Sequence, residues 1–173
     1  MLAGIFLDTS YFKSKQTGVR TFEAASILKE FGADNAISDD LLKDDFEEYR
    51  TVNQLIADVK TPQYGVVYAH GDSRMICDAA TIAKAANTCL TMKGIHCSIV
   101  FAQTSPTSVR MSFRSDGMIN VQIIAEKMGG GGHFTSAAAV FDGMTIEAVE
   151  QKLLDILETY LDDARADNKG RKE

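Results

Sequence analysis

Apolar residues recur at spacings of three and four from Thr21 onward, at Phe22, Ala25, Ile27, Leu28 and Phe31, which predicts an amphipathic helix. Thr21 is placed to cap it, Glu23 suits its positive end, and Gly32 stops it. Ahead of it, residues 1–7 form an apolar run, a helix end or a strand, closed by Asp8-Thr9, and residues 10–20 are polar. The segment "SDDLLKDDFEEYRTVNQLIADV" predicts one or two further helices capped at Ser38 or Asp39. Phe46, Tyr49, Val52, Leu55, Ile56 and Val59 form their stripe. "KTPQYG" interrupts the pattern at Pro62, which puts a boundary near 58–62.

Beyond that break the period changes. "YGVVYAH" reads as a buried strand, and Asp72-Ser73 as the cap of a helix running through Met75, Ile76, Ala79, Ala80, Ile82, Ala83 and Ala86. "GIHCSIVFAQ" and "SVRMSFRS" are two more strands separated by a turn at "SPTS". In "GMINVQIIAEKM" the residues Ile119, Ile123, Ile124 and Met128 share one helical face. "AAAVFDG" is a fourth strand, and Thr145 caps a final helix carrying Ile146, Val149, Leu153, Ile156, Leu157, Tyr160 and Leu161. The order β-α-β-β-α-β-α predicts an α/β or α+β domain, a mixed sheet with flanking helices. The division expected is residues 1–60, 61–163, and a disordered tail over 164–173, where apolar spacing is absent.

The chain has 173 residues and a formal net charge of −6, which argues against a broad basic surface for long nucleic acids. A small anion in a local basic pocket remains compatible with that charge. Cys77, Cys89 and Cys97 include no CxxC pair and read as reduced thiols of a cytoplasmic protein. No secretory signal and no membrane segment is visible, and the abrupt apolar start suggests a fragment of a longer chain.

Two stretches carry candidate chemistry. In "MGGGGHFTSAAAV" four glycines, Gly129 to Gly132, run into His133. A bare backbone of this kind can turn its amides towards one anion, and a helix beginning at or after His133 would add its own free N–H groups. The other reading is a plain flexible turn. In "SVRMSFRSDG" strand alternation sets Arg110, Ser112 and Arg114 on one face and Val109, Met111 and Phe113 on the other, with Ser115 at the strand's end. Guanidinium groups grip phosphate bidentately. A solvated sheet face is the alternative, and the nearby glycines weigh against it.

The stretch "SFRSDGMINVQIIAEKMGGGGH" resembles the signature of the DHHA1 domain, the substrate-binding partner of the DHH phosphoesterases. "AGIFLDTSYFKSKQTGVRTFEAASILKEFGAD" is similar to the last part of a DHH catalytic domain. Together they resemble the C-terminal portion of bacterial cyclic-di-AMP phosphodiesterases, up to about residue 163. The resemblance implies a DHHA1 domain over 61–163, preceded by a helical remnant of the DHH domain and a connecting helix over 1–60. It implies that Asp8 is one ligand of a two-metal Mn²⁺ centre. Arg114 and Ser115 would hold the substrate's phosphate and sugar, and Gly130, Gly131, Gly132 and His133 would clasp its terminal phosphate or base. Arg110 falls outside the motif and counts as support.

The chain departs from the family in lacking the Asp-His-His motif: its histidines are His70, His96 and His133, and the first two read as packed strand residues. The metal centre therefore cannot be assembled from these residues, and no turnover by this chain alone is expected. The expected partners are a small nucleotide, such as a cyclic dinucleotide or linear pApA, and the catalytic DHH half of a parent protein. That parent is expected to be membrane-anchored, with this part in the cytoplasm, and a homodimer is an allowed assembly. Rival readings are an oligoribonuclease acting also on adenosine bisphosphate, an RNA-binding DHHA1 appendage, and a structural domain whose glycines only turn the chain.

Overall fold

The computed structural model of the chain describes residues 1–14 and 17–170. The chain forms two compact units, Met1–Phe46 and Glu47–Glu173. The first contains α1 (Leu2–Thr9), α2 (Val19–Glu30) and α3 (Asn35–Asp40) around a small core of Leu2, Phe6 and Ala25. The apolar run at the start is thus helical. α1 ends in three consecutive left-handed residues, Ser10 (φ 49°), Tyr11 (φ 57°) and Phe12 (φ 65°). Each such residue costs roughly 1–2 kcal/mol when it is not glycine. The offset is local: the Thr9 hydroxyl accepts the Phe12 N–H at 2.9 Å, and the rings of Tyr11 and Phe12 pack on Phe6 at 5.1 and 5.8 Å.

Two caps differ from expectation here. α2 begins before Thr21, whose N–H donates to the Gly18 carbonyl at 3.0 Å and lies inside the first turn. α3 is capped by Asp34, whose Oδ1 accepts the Ile37 N–H at 2.9 Å, while Ser38 donates back to the Asp34 carbonyl.

The second unit comprises α4 (Phe46–Ile56, from Glu47 on), β1 (Lys60–Gln63), β2 (Val66–His70), α5 (Ala79–Cys89), β3 (Cys97–Ser105) and β4 (Ser108–Ser115). It continues with α6 (Val121–Met128), β5 (Gly131–His133), β6 (Ser136–Asp142) and α7 (Ile146–Gly170). The sheet order is β1-β2-β3-β4-β6-β5, with β2 and β3 parallel and every other pair antiparallel. One face carries α6 and α7: Ile124, Met128, Leu153 and Leu157 bury against Phe101, Met111 and Phe113. The other carries α4 and α5, where Val52, Leu55, Ile82 and Ala86 meet Val67, Ala69, Val100 and Ala102.

The sequence boundary near 58–62 falls later than the division at Phe46/Glu47, because α4 buries Val52 and Leu55 in the core of the second unit. Phe46 and Tyr49 of the expected stripe are exposed. α5 begins at Ala79, later than Asp72-Ser73 suggests. Asp78 accepts the Thr81 N–H at 2.7 Å, Asp72 takes the Arg74 N–H in a turn, and Cys77 N–H donates to the Gln103 carbonyl at the end of β3. On α6 the buried set is Val121, Ile124, Ala125 and Met128, with Ile123 exposed; the helix takes its phase from the Asn120 cap. Two strands appear that alternation does not predict. β1 contains Pro62 and lies at a sheet edge, where a missing N–H is tolerated, and β5 is built from the glycines at the other edge. α7 is capped by Thr145, as expected, and stays helical to Gly170, into the tail read as disordered; residues 171–173 lie outside those described.

A half-buried polar knot ties α7 to the strand edge. Glu150 Oε1 accepts from the Lys60 ammonium and from the Tyr68 hydroxyl at 3.1 Å. Burial pushes the Glu150 carboxyl up, but the bonds from Lys60 and Tyr68 and the nearby charges outweigh it and hold the group below its ordinary 4.5. A carboxylate lowered in this way stabilises the fold above its unfolded value and loses that contribution as pH falls through the folded one. Glu150→Gln is therefore expected to cost about 1 kcal/mol at pH 7, a figure reduced for the partial exposure of Lys60, with the gap closing below about pH 4.5. Urea unfolding of both proteins at pH 7 and pH 3.5 measures it; an equal gap at the two pH values contradicts the assignment.

Candidate nucleotide-binding groove

The site begins with the alternation of β4. Val109, Met111 and Phe113 are fully buried against α6 and α7, so Arg110, Ser112 and Arg114 must occupy the opposite face. On that face α5 packs across β3 and β4 and leaves the β6-β5 part of the sheet uncovered. The result is a groove of ≈ 260 Å³. α5 supplies Ala79 and Ala83 as one wall, β4 supplies Arg110, Ser112 and Arg114, and β6 and β5 supply Ser136, Ala138, Gly131 and Gly132.

Cross-strand register aligns the groups. Arg114 lies opposite Ser136, and Ser136 opposite His133, so the three share a face on adjacent strands. Neighbouring strands are about 4.8 Å apart, so backbone positions 114 and 133 lie about 10 Å from each other. His133 is exposed on the edge strand.

No carboxylate lines the groove, and neither Arg110 nor Arg114 has an acidic ion-pair partner among the described residues. Arg114 is anchored by a bond from its guanidinium to the Phe113 carbonyl at 2.8 Å. Burial first, then the like charge of Arg110, pushes its proton affinity below the ordinary arginine value. Partly desolvated cations without a protein counter-ion are costly, and a bound anion removes that cost.

Other expected site residues fall elsewhere. Ser115 continues the alternation onto the α6 side. It is buried, and its Oγ accepts the N–H groups of Gly117 (3.0 Å) and Ile119 (3.4 Å), which shapes the turn into α6. Gly129 is the left-handed end of α6 (φ 90°), and Gly130 donates its N–H to the Ala125 carbonyl at 2.8 Å. No helix starts at His133; Phe134-Thr135 turns β5 into β6, so the glycine amides run along an edge strand instead of converging in a tight turn. Of the other histidines, His70 ends β2 beside Phe101, and His96 Nδ1 meets Asp116 Oδ2 at 2.9 Å. Ser136 is a groove residue of which the sequence shows no sign, and Ala79 and Ala83, expected only as part of a helix stripe, form a wall of the groove.

Asp8 lies in the first unit, in an apolar cleft of ≈ 470 Å³ with Gly4, Ile5, Ala24, Ile27 and Leu28. Its carboxylate is exposed, and among the described residues no group of three or more His, Cys, Asp or Glu side chains is placed to hold a metal ion. A two-metal centre does not fit the residues present.

Residues 63–163 match the DHHA1 domain family. The chain is 38% identical over 162 residues to the cyclic-di-AMP phosphodiesterase GdpP of Geobacillus thermodenitrificans, covering 94% of this chain and 24% of that protein. It is 36% identical over 160 residues to the cyclic-di-AMP phosphodiesterase PdeA of Listeria monocytogenes, covering 92% and 24%. A bifunctional oligoribonuclease and PAP phosphatase, NrnA of Thermus thermophilus, is 27% identical over 165 residues, covering 93% and 50%. The chain thus spans about a quarter of the length of the first two relatives. An exopolyphosphatase-related protein of Bacteroides fragilis shares the fold, with a TM-score of 0.74 at 18% identity over 90% of this chain and 48% of that one.

The glycines divide by what a side chain would meet. A Cβ on Gly130 would lie 2.1 Å from the Ala138 carbonyl oxygen, and one on Gly132 (φ 152°) 2.5 Å from the Ala137 Cα. A Cβ on Gly131 meets nothing within 4 Å and points along the row of Ala138 and Ser112 into the groove. Gly132→Ala is expected to lose about 2–3 kcal/mol of stability by overpacking. Gly131→Ala should leave stability unchanged or raise it by up to about 1 kcal/mol, while weakening any ligand that needs the space. Chemical denaturation of both variants checks this; equal losses would make all these glycines structural.

Proposed function

The chain belongs to the DHHA1 domain family, and from that premise we propose that its groove holds a small phosphorylated nucleotide, cyclic-di-AMP or linear pApA. The observation that carries the reading is the pair of half-buried guanidiniums on β4 with no carboxylate beside them. Arg114 takes a phosphate with charge-assisted bonds, and His133 donates from the edge strand on the same face. The unobstructed backbone at Gly131 lets the nucleotide lie against the sheet. Ser115 serves as a positioning residue that holds the turn after β4.

In this reading the chain is the substrate-holding part of a phosphodiesterase whose bond-breaking chemistry is Mn²⁺-dependent. Asp8 would add one carboxylate to such a centre only if the catalytic half of a parent protein supplied the other ligands. No hydrolytic step is assigned to the residues described here, and the chain alone binds without turnover. Holding the substrate in one pose supplies the orientation that a hydrolytic centre needs. A cytoplasmic setting, where such nucleotides occur, suits the three unpaired thiols Cys77, Cys89 and Cys97. No helix among the described residues is long and apolar enough to cross a membrane.

Calorimetric titration of pApA, cyclic-di-AMP and a tRNA, each with and without Mn²⁺, tests the proposal. Saturable dinucleotide binding is expected, weakened about 10- to 100-fold by Arg114→Ala and less by His133→Ala. Tighter, steeply salt-dependent binding of tRNA would replace this reading with an RNA-binding appendage. Hydrolysis of pApA by the purified chain would overturn the division of labour.

A further inference from the structure

β4 offers the groove more than one anchor. Arg110 and Arg114 stand at the two ends of the groove-facing row, four residues apart, which is about 13 Å along a strand. Between them lies Ser112, only 4% exposed. Its hydroxyl lines the groove and makes no hydrogen bond among the described residues. The other buried serines of the second unit behave differently: Ser98 donates to the Ala86 carbonyl at 2.6 Å, and Ser115 accepts two backbone N–H groups. The Ser112 hydroxyl is not enclosed by protein but opens onto the groove. A hydroxyl that faces a groove between two cations is placed to bond whatever occupies that groove.

Both long side chains can reach one phosphate only by drawing two like charges together, which costs energy. A ligand with two phosphates separated by a nucleoside can meet both, each guanidinium taking one anion. We propose that Arg110 is a specificity-determining residue, which with Arg114 and the intervening Ser112 makes a two-anion ladder selecting dinucleotides over mononucleotides. Arg114 binds the phosphate nearest His133, Arg110 binds the second, and Ser112 Oγ donates to an oxygen between them. Arg110 lies opposite Val140 on β6, four positions from the Ser136 that pairs with His133, so the two approach different ends of the groove. This assignment rests on the nucleotide reading above and adds to it the number and spacing of the charges recognised.

The test compares AMP with pApA on the full chain by calorimetry, for the wild type, Arg110→Ala, Arg110→Lys and Arg114→Ala. Far-UV circular dichroism and melting confirm that each variant folds. Arg110→Ala should lose about tenfold in pApA affinity with AMP affinity changed less than about twofold; Arg110→Lys should recover part of the loss. Arg114→Ala should weaken both ligands. An Arg110→Ala protein that binds pApA like the wild type, or that loses AMP and pApA affinity equally, overturns the ladder while leaving the nucleotide site standing. A wild-type chain that binds neither ligand overturns the nucleotide reading itself and the ladder with it.

Discussion

The two-residue period of β4 is the constraint from which the site follows. Val109, Met111 and Phe113 have to enter the core under α6 and α7, and once they do Arg110, Ser112 and Arg114 have no choice of face. A slip of one residue would bury two guanidiniums without partners and expose three large apolar side chains. The energy that fixes the register is therefore the same energy that aims the cations. β4 is also an interior strand, paired on both sides, so its side chains are held by two ladders. A binding residue on such an element is more accurately positioned than one on a loop.

The second requirement is that this face stay open. α5 reaches only as far as its Ala79 and Ala83 side, and the strands beyond β4 carry Ser136, Ala138 and the glycines. The glycine run proves to be divided among several tasks. Gly129 ends α6 in a left-handed conformation, and Gly130 and Gly132 let β5 lie against β6 at a distance no side chain would allow. Between them, Gly131 has room for a methyl group, and that room is groove. A motif that looks like one anion-binding turn is thus a helix end followed by an edge strand with one vacant position.

What could be read in advance depended on whether a signal was local. β4 was legible because eight residues alternate cleanly, and its arginine face followed at once. β1 and β5 were not: one holds Pro62, the other is mostly glycine, and both exist because β2 and β6 offer a free edge to pair with. The caps went astray where acidic residues abound. Asp34 and Asp78 hold the helix starts, while Asp72 is occupied by a turn. Ser136 and Ala138 join the site through register alone. Ser115 shows the limit of a motif: it adjoins Arg114 in sequence, yet the same alternation that exposes the arginine turns the serine inward. Adjacency in a strand is opposition in space.

The charge balance, taken with the groove's dimensions, narrows the kind of ligand further. The chain carries a formal −6, so its net field opposes a long polyanion. Inside, the ten lining residues include two arginines and no acid, so the sign reverses over a volume of only ≈ 260 Å³. Repulsion from the surrounding surface is screened within about 8 Å at physiological salt, whereas a partly desolvated guanidinium acts at contact range and is screened less. A ligand small enough to keep its charges within the groove therefore gains the attraction and avoids most of the repulsion. A small anion meets that condition, and an extended polyanion does not.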